Sequence, residues 1–335
     1  MEIAETIINP GESKVIKLKV AKLYDHMTDI DLPINVIRGK EDGPCLFISA
    51  AMHGDEINGI EAIRRVLTHK AIKNIKGTLI AVPIINVFGF NNKSRYLPDR
   101  RDLNRSFPGS PTGSLASRLA HIFLTEVVDK CTHGIDLHTG AIHRSNLPQI
   151  RASLNNKETA RLASCFGTPV ILNSQIREGS LRESVVQRDI RLLIFEGGEA
   201  LRFDKAVTKS AVRGIFSVMQ AIGMLDSLPS NFTKKTITTC VAKSSYWVRA
   251  QAGGIMIAKK KLGDRVQEDE ILGIITDPFP GYNHQVKAKQ SGIIIGKAEM
   301  PLVNEGDGLF HIATFDDLKT VEESLDSYED LIVQN

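Results

Sequence analysis

The stretch Cys45–Glu56, CLFISAAMHGDE, passes from an unbroken apolar run into three ionisable side chains, His53, Asp55 and Glu56. Such a run, without polar alternation, predicts a strand at Cys45–Ala51 covered on both faces, as in the middle of a parallel sheet. The residues that follow, Ile57–His69, carry apolar positions at three-to-four spacing and predict a helix. His53 and Glu56 therefore stand three apart where a strand hands over to a helix. Open α/β sheets gather ligands outside the carboxyl ends of their strands, and from there an imidazole and a carboxylate can converge on one ion. Alone the pair is a weak signal, because Asp55 or Glu56 would also suit a helix N-terminus with no metal nearby.

Working outward, Thr78–Ile85, Gly134–Leu137, Val170–Leu172 and Leu192–Phe195 are further β-rich runs. Leu115–Lys130, Lys157–Phe166 and Ala206–Met224 are further helical patterns. This alternation, from about Leu32 to Leu225, predicts an α/β layer fold with a largely parallel sheet. Two of the strands end in chemistry. GIDLHTG, Gly134–Gly140, offers a second imidazole in His138, and LLIFEGG, Leu192–Gly198, offers Glu196 at the mouth of a very apolar strand. Two imidazoles and one carboxylate leave the fourth position of a tetrahedral zinc open for water, as catalytic sites do. Zinc lowers the pKa of that water to about 7, and Glu196 can take its proton and return it to a leaving nitrogen. The set amounts to an amide hydrolase with one zinc held by His53, Glu56 and His138.

HGDE, DLNRSFPG, DLHTG and FEGG, in this order, resemble the aspartoacylase and succinylglutamate desuccinylase family, itself similar to the zinc carboxypeptidases. The resemblance covers about Leu32 to Leu225 and implies a zinc-carboxypeptidase-like, mixed but largely parallel sheet flanked by helices. It places the zinc on His53, Glu56 and His138 and the glutamate base on Glu196. It implies that Asn104 and Arg105, within DLNRSF, grip a substrate carboxylate, a role that the planar guanidinium fork suits on its own chemistry. The family's carbonyl-polarising Arg falls on Arg95, beside Tyr96. The stretch from there to DLNR is longer here, so Arg100 and Arg101 remain alternatives. The implied function is deacylation of an N-acyl amino acid or similar small carboxylate-bearing substrate. A zinc carboxypeptidase acting on short acidic peptides would share every ligand and the Arg105 anchor, whereas a metal module without catalysis is disfavoured by Glu196 and the arginines.

Neighbouring polar residues have plainer readings beside functional ones. Glu199, three after Glu196, is a rival for the base. Asp136, two before His138 on a strand, shares its face and suits either an orienting partner for the imidazole or an ordinary buried acid. Asp102 is expected to shape its loop rather than react. Gln149 and Arg151 can reach the substrate or sit on a solvated strand, and His133 and His143 are expected to be surface or satisfied histidines.

Between Asp226 and Lys235, DSLPSNFTKK loses its periodicity and predicts a linker. Residues 1–228 are then the expected catalytic domain, and 236–335 a second one. Thr236–Ala313 shows short β-rich runs and repeats itself at an offset of 38. Gly254-Ile255 matches Gly292-Ile293, Asp269 matches Asp307, and Ile274 matches Ile312. A pseudo-symmetric β-sandwich follows, with a surface helix over Phe315–Val333. Its halves resemble biotinyl- and lipoyl-carrier barrels, but the hairpin tip where a carrier lysine would stand, Asp277–Gly281, contains none. A lid or a homo-oligomer contact is the expected use. Trp247, the only Trp, is expected to pack between the domains rather than to cover the substrate.

Composition bounds the rest. The 335 residues are 42% hydrophobic and 24% charged, and a formal charge of +3, spread along the chain, gives no field for nucleic acid or a membrane. Lys259–Lys261 reads as a solvated turn. Cys45, Cys131, Cys165 and Cys240 form no CxxC pair and read as separate core thiols. No stretch approaches the roughly 18 apolar residues of a spanning helix. The N-terminus lacks the pattern of a signal peptide, so a cytoplasmic location is expected.

Overall fold

The computed structural model describes residues 1–230, 232, 237–279 and 281–332. Part of the expected linker Asp226–Lys235, together with Thr236, Pro280 and Val333, lies outside these residues. Two short strands, β1 (Glu2–Ile3) and β2 (Thr6–Ile7), precede a hairpin of β3 (Ser13–Lys22) and β4 (Asp29–Arg38). The chain then alternates through β5 (Cys45–Ala50), α1 (Asn58–Thr68), β6 (Thr78–Val82), α2 (Val87–Asn91) and α3 (Leu115–Glu126). It continues through β7 (His133–Gly140), β8 (Arg144–Ala152), α4 (Lys157–Phe166), β9 (Val170–Asn173), α5 (Leu181–Val186), β10 (Arg191–Glu199) and α6 (Lys205–Ala221). In space the strands run β3-β4-β6-β5-β7-β10-β8. The middle four are mutually parallel, and β4 and β8 lie antiparallel on either side. The architecture is the expected α/β one, with a mixed sheet.

Side-chain alternation divides this sheet into two faces. Phe47 of β5 and Leu192 and Ile194 of β10 join a core with Leu119 and Phe123 of α3. Leu46, Ile48, Ile135, Leu137, Leu193 and Phe195 join the opposite core, with residues of α1, α4 and α6. Ser114, Asn156 and Asp204 cap α3, α4 and α6 by accepting backbone N–H groups.

Several boundaries differ from those that periodicity suggests. β7 and β10 run past their apolar cores, so His138 and Glu196 lie on the strands themselves. β6 stops at Val82 because Pro83 has no N–H for a ladder. β5 ends at Ala50, and Ala51 takes a left-handed conformation, φ 49°, that turns the chain toward His53. The pattern Leu115–Lys130 breaks at Val127 into α3 and a separate 3-10 turn, Val128–Lys130. The cysteines are not all separate: β5 and β7 start side by side, which brings the buried Sγ atoms of Cys45 and Cys131 to 3.3 Å.

The C-terminal segment adds β11 (Cys240–Ala242), β12 (Ser244–Arg249), β13 (Gly254–Ala258), β14 (Arg265–Val266) and β15 (Ile271–Thr276). These are followed by β16 (Asn283–Lys287), β17 (Gly292–Ala298), β18 (Leu302–Val303), β19 (Gly308–Thr314) and α7 (Leu318–Ile332). The 38-residue repeat is visible in the strands, β12–β15 corresponding to β16–β19. Each half lends strands to both faces. β12 and β14 pair with β19 and β17, while β16 and β18 pair with β15 and β13. The sandwich so formed closes on Leu272, Ile275, Ile294, Phe310 and Ile312. One of its edges continues the large sheet: Gly296, Lys297 and Ala298 of β17 pair with Asn146, Ser145 and Arg144 of β8. Among the described residues no helix is long and apolar enough to cross a membrane.

Candidate active site

The face that carries Phe47, Leu192 and Ile194 turns polar at the carboxyl ends of its strands. By the two-residue period, Ser49, Asp136, His138 and Glu196 point the same way as those apolar residues. Because β7 and β10 are parallel and in register, Glu196 is the neighbour of His138. His53 and Glu56 arrive from the turn between β5 and α1.

Glu56 is the hub of the cluster. Its Oε1 lies 2.7 Å from His53 Nδ1 and its Oε2 2.9 Å from His138 Nδ1, and the Thr139 N–H donates to it at 3.1 Å. The far nitrogens are held as well. His53 Nε2 lies 3.1 Å from Asp102, and His138 Nε2 lies 2.8 Å from Asp136, which itself accepts the Ser49 hydroxyl at 2.8 Å. Arg95 donates to Glu56 at 3.3 Å and to Asp102 at 2.9 Å. His53, Glu56 and His138 are buried with their ligand atoms within 4.8 Å of one another, a spacing that fits one metal ion. The donor chemistry fits too. Both Nδ1 atoms face inward, and both Nε2 atoms meet carboxylates that fix the tautomer of a ligating imidazole.

The electrostatics describe a site that holds protons when it holds no cation. Burial disfavours a charged His53, yet Glu56 and Asp102 outweigh it and raise its pKa. His138 is raised further, Asp136 and Glu56 overcoming the same burial. Burial by itself pushes the Glu56 and Asp102 carboxyls upward. His53 and His138 instead hold Glu56 far below the carboxylate range, and His53 and Arg95 do so for Asp102.

Glu196 stands in the same cleft, of about 710 Å³. It accepts the Asn146 side-chain amide at 2.9 Å, and its other oxygen lies 3.4 Å from the Arg151 guanidinium. Glu199 turns away to accept the His143 backbone N–H at 3.0 Å. Arg95, Asn104 and Arg105 line the cleft, whereas Arg100 and Arg101 are exposed and outside its lining. Asn104 commits its Oδ1 to the Leu181 N–H at 3.0 Å, which ties its loop to α5.

Some residues depart from their expected places. Asp102 does shape its loop, accepting the Asn104 N–H at 2.8 Å, but it also orients His53. Gln149 is neither solvated nor in the cleft: it is fully buried, donating to the Ile295 carbonyl at 3.3 Å, because β17 and β10 enclose β8. Arg151 faces the cleft. Arg144, Arg177 and Arg182 line it too, and sequence patterns marked none of them. Burial, with Arg151 and Arg177 adding repulsion, lowers the Arg182 pKa to about 10. Trp247 stacks on His311 at 4.8 Å and lies 5.5 Å from the Arg144 guanidinium, so it packs between the segments while also lining the cleft. His143 is exposed, and half-buried His133 bonds Thr132 at 2.8 Å.

Residues 42–222 match the succinylglutamate desuccinylase/aspartoacylase catalytic domain. The chain belongs to that family. It is thereby an amide-bond hydrolase. One curated relative is N-alpha-acetyl-L-2,4-diaminobutyric acid deacetylase of Halomonas elongata. It is 24% identical over 311 residues, 89% of this chain and 90% of its own. The product-bound ectoine utilization protein EutE (DoeB) from Ruegeria pomeroyi superposes with a TM-score of 0.81 at 22% identity, over 90% of this chain and 94% of its own. A succinylglutamate desuccinylase/aspartoacylase from Rhodobacter sphaeroides gives 0.81 and 22% over 93% and 99%. The shared fold thus extends past the catalytic domain into the C-terminal segment.

Proposed function

We propose that the protein is a zinc-dependent deacylase that hydrolyses the amide of an N-acyl amino acid or a similar small carboxylate-bearing substrate. The observation that carries this reading is the convergence of His53, Glu56 and His138 on one point, with Glu196 on the adjacent strand facing the same cleft. We assign the zinc to those three residues, with Asp136 and Asp102 holding the far nitrogens of the two imidazoles. Bound there, zinc would supply a Lewis acid and a water of lowered pKa. Glu196 takes the proton of the attacking water and returns it to the leaving nitrogen. Arg95, beside the cluster, is assigned to the developing oxyanion. Arg105, with Asn104, is assigned to a substrate carboxylate, so that binding energy there holds the amide in place. Residues 1–228 form the proposed catalytic unit, and 236–335 the unit that borders its cleft.

The test is a chromatographic screen of acetyl-, succinyl- and glutamyl-amides and short acidic peptides against zinc-loaded protein, run beside Glu196→Gln. The variant should keep its zinc and lose at least about 100-fold in turnover, the usual scale for a general acid–base. Undiminished turnover in Glu196→Gln would remove Glu196 from the mechanism. Release of C-terminal residues from peptides alone would replace the deacylase reading with a carboxypeptidase.

A further inference from the structure

We infer that Asn146 is a positioning residue for Glu196, and that the C-terminal sandwich holds Asn146 in place at the seam between β8 and β17. The inference rests on the deacylase reading above, in which Glu196 moves the protons.

Glu196 has one partner on each oxygen, and both come from β8. Asn146 donates its side-chain amide at 2.9 Å, and Arg151 stands 3.4 Å from the other oxygen. Two donors on opposite oxygens fix the plane of the carboxylate. With Asn146 truncated, only the longer Arg151 contact remains, and the carboxylate can rotate toward it and away from the cluster around His138. Misplacement by about 1 Å is enough to cost on the order of 100-fold in rate.

Asn146 is buried and belongs to the seam. Its backbone pairs with Gly296, and Gly296 in turn pairs with His311 of β19. A Cβ at position 296 would lie 3.0 Å from His311 Cβ and 3.1 Å from Asn146 Oδ1. His311 is the stiffer neighbour: it stacks on Trp247 with the rings 6° from parallel, and its Nε2 bonds the Ser245 hydroxyl at 2.9 Å. A side chain at 296 therefore displaces the Asn146 amide, which is the group that holds Glu196. The absence of a Cβ at Gly296 leaves room for the base to be held.

The experiment compares Asn146→Ala, Asn146→Asp, Gly296→Ala, Glu196→Gln and the double variant Asn146→Ala/Glu196→Gln. All are zinc-loaded and assayed on the acyl amino acid that the wild type turns over fastest. Asn146→Ala should lower kcat about 10- to 100-fold with KM within about threefold and zinc content unchanged. Asn146→Asp keeps the shape but loses the donor and should fall at least as far, a loss that a mere packing role would not produce. Gly296→Ala, made in the other segment, should lower kcat about 3- to 10-fold. In the Glu196→Gln background Asn146→Ala should add nothing, because it acts through the group already removed. The inference is overturned if Glu196→Gln lowers kcat by about 100-fold or more while Asn146→Asp keeps kcat within about twofold. It is equally overturned if Asn146→Ala costs the same factor with and without Glu196. Wild-type turnover in Glu196→Gln, or none in the wild type, sinks the base assignment itself and this inference with it.

Discussion

Replacing Asp136 by Asn removes one charge from the histidine cluster without changing its shape. In the native protein Asp136 is fully buried, with His138 Nε2 at 2.8 Å on one oxygen and the Ser49 hydroxyl at 2.8 Å on the other. An Asn in that rotamer keeps its carbonyl oxygen on His138 and turns its amide toward Ser49, whose hydroxyl can accept. The hydrogen bonds survive and only the charge is lost. A hydrogen bond to a charged group contributes about 1.5–3 kcal/mol against about 0.5–1.5 for a neutral one. The difference, roughly 1–1.5 kcal/mol, is close to tenfold in affinity, at the low end of the 10- to 100-fold range for outer partners of a metal ligand.

Protons modify that estimate in a direction that can be checked. Burial opposes a charged His138, and Asp136 leads the groups that overcome it, so Asp136→Asn weakens the proton's hold on the same imidazole. Proton competition with zinc is relieved in the variant, which offsets part of its loss where protons are plentiful. The loss should therefore be smaller at pH 6.5 and approach tenfold near pH 8.5. Competition titrations against a chromophoric chelator at the two pH values read this directly. Equal zinc affinity in wild type and variant at both, or a loss that shrinks as pH rises, would refute the claim that the Asp136 charge acts on the metal through His138.

Two further outcomes are expected. The metal-free histidine contribution to stability is complete below the unfolded value of 6.5 and is lost as pH rises through the raised folded values of His53 and His138. That of Glu56 and Asp102 is complete above their unfolded values of 4.5 and 3.8 and is lost as pH falls through their lowered folded ones. Chelated protein should thus melt highest between roughly pH 4.5 and 6.5, and zinc should raise Tm more at pH 8.5 than at pH 6; a chelated Tm that climbs toward pH 8.5 counts against the cluster. Arg105→Ala should depress kcat/KM on an acyl amino acid at least about tenfold more than on its neutral primary amide, since one charge-assisted pair is lost only with the acid; equal losses would mean that Arg105 serves the fold or the oxyanion instead.

What the sequence made legible depended on how far each interaction reaches along the chain. His53, Glu56, His138 and Glu196 sit at the ends of short apolar strands, where a polar residue after a covered run stands out and a strand end in an α/β sheet is where ligands gather. The 38-residue repeat is local as well, and it returned as the exchanged strands of the sandwich. From sequence Asp102 shows only as a loop former, since its contact with His53 needs a loop 49 positions away to fold back over the cluster. Asn146, Arg144 and Arg182 carry no signature at all. They reach the cleft from an antiparallel strand and a short helix whose places are set by tertiary pairing, which no window of sequence contains.

Register explains why this site is held so firmly. On β10, Leu193 and Phe195 enter one core while Leu192 and Ile194 enter the other, so Glu196 continues the second set and emerges beside His138. A slip of one residue would drive Glu196 into the core beneath α4 and α6 and put Phe195 in its place beside His138. Each large apolar side chain moved from core to cleft forfeits about 1.5–3 kcal/mol. An unpaired buried carboxylate costs several more, and the antiparallel pairing with β8 that delivers Asn146 and Arg151 would be lost at the same time. The apolar pattern of a single strand therefore selects both the fold and the position of Glu196. The same physics makes β10 a poor place for an isolated insertion: one extra residue between Leu192 and Glu196 should abolish activity and folding together, whereas the same insertion at exposed Arg202, outside the strand, should abolish neither.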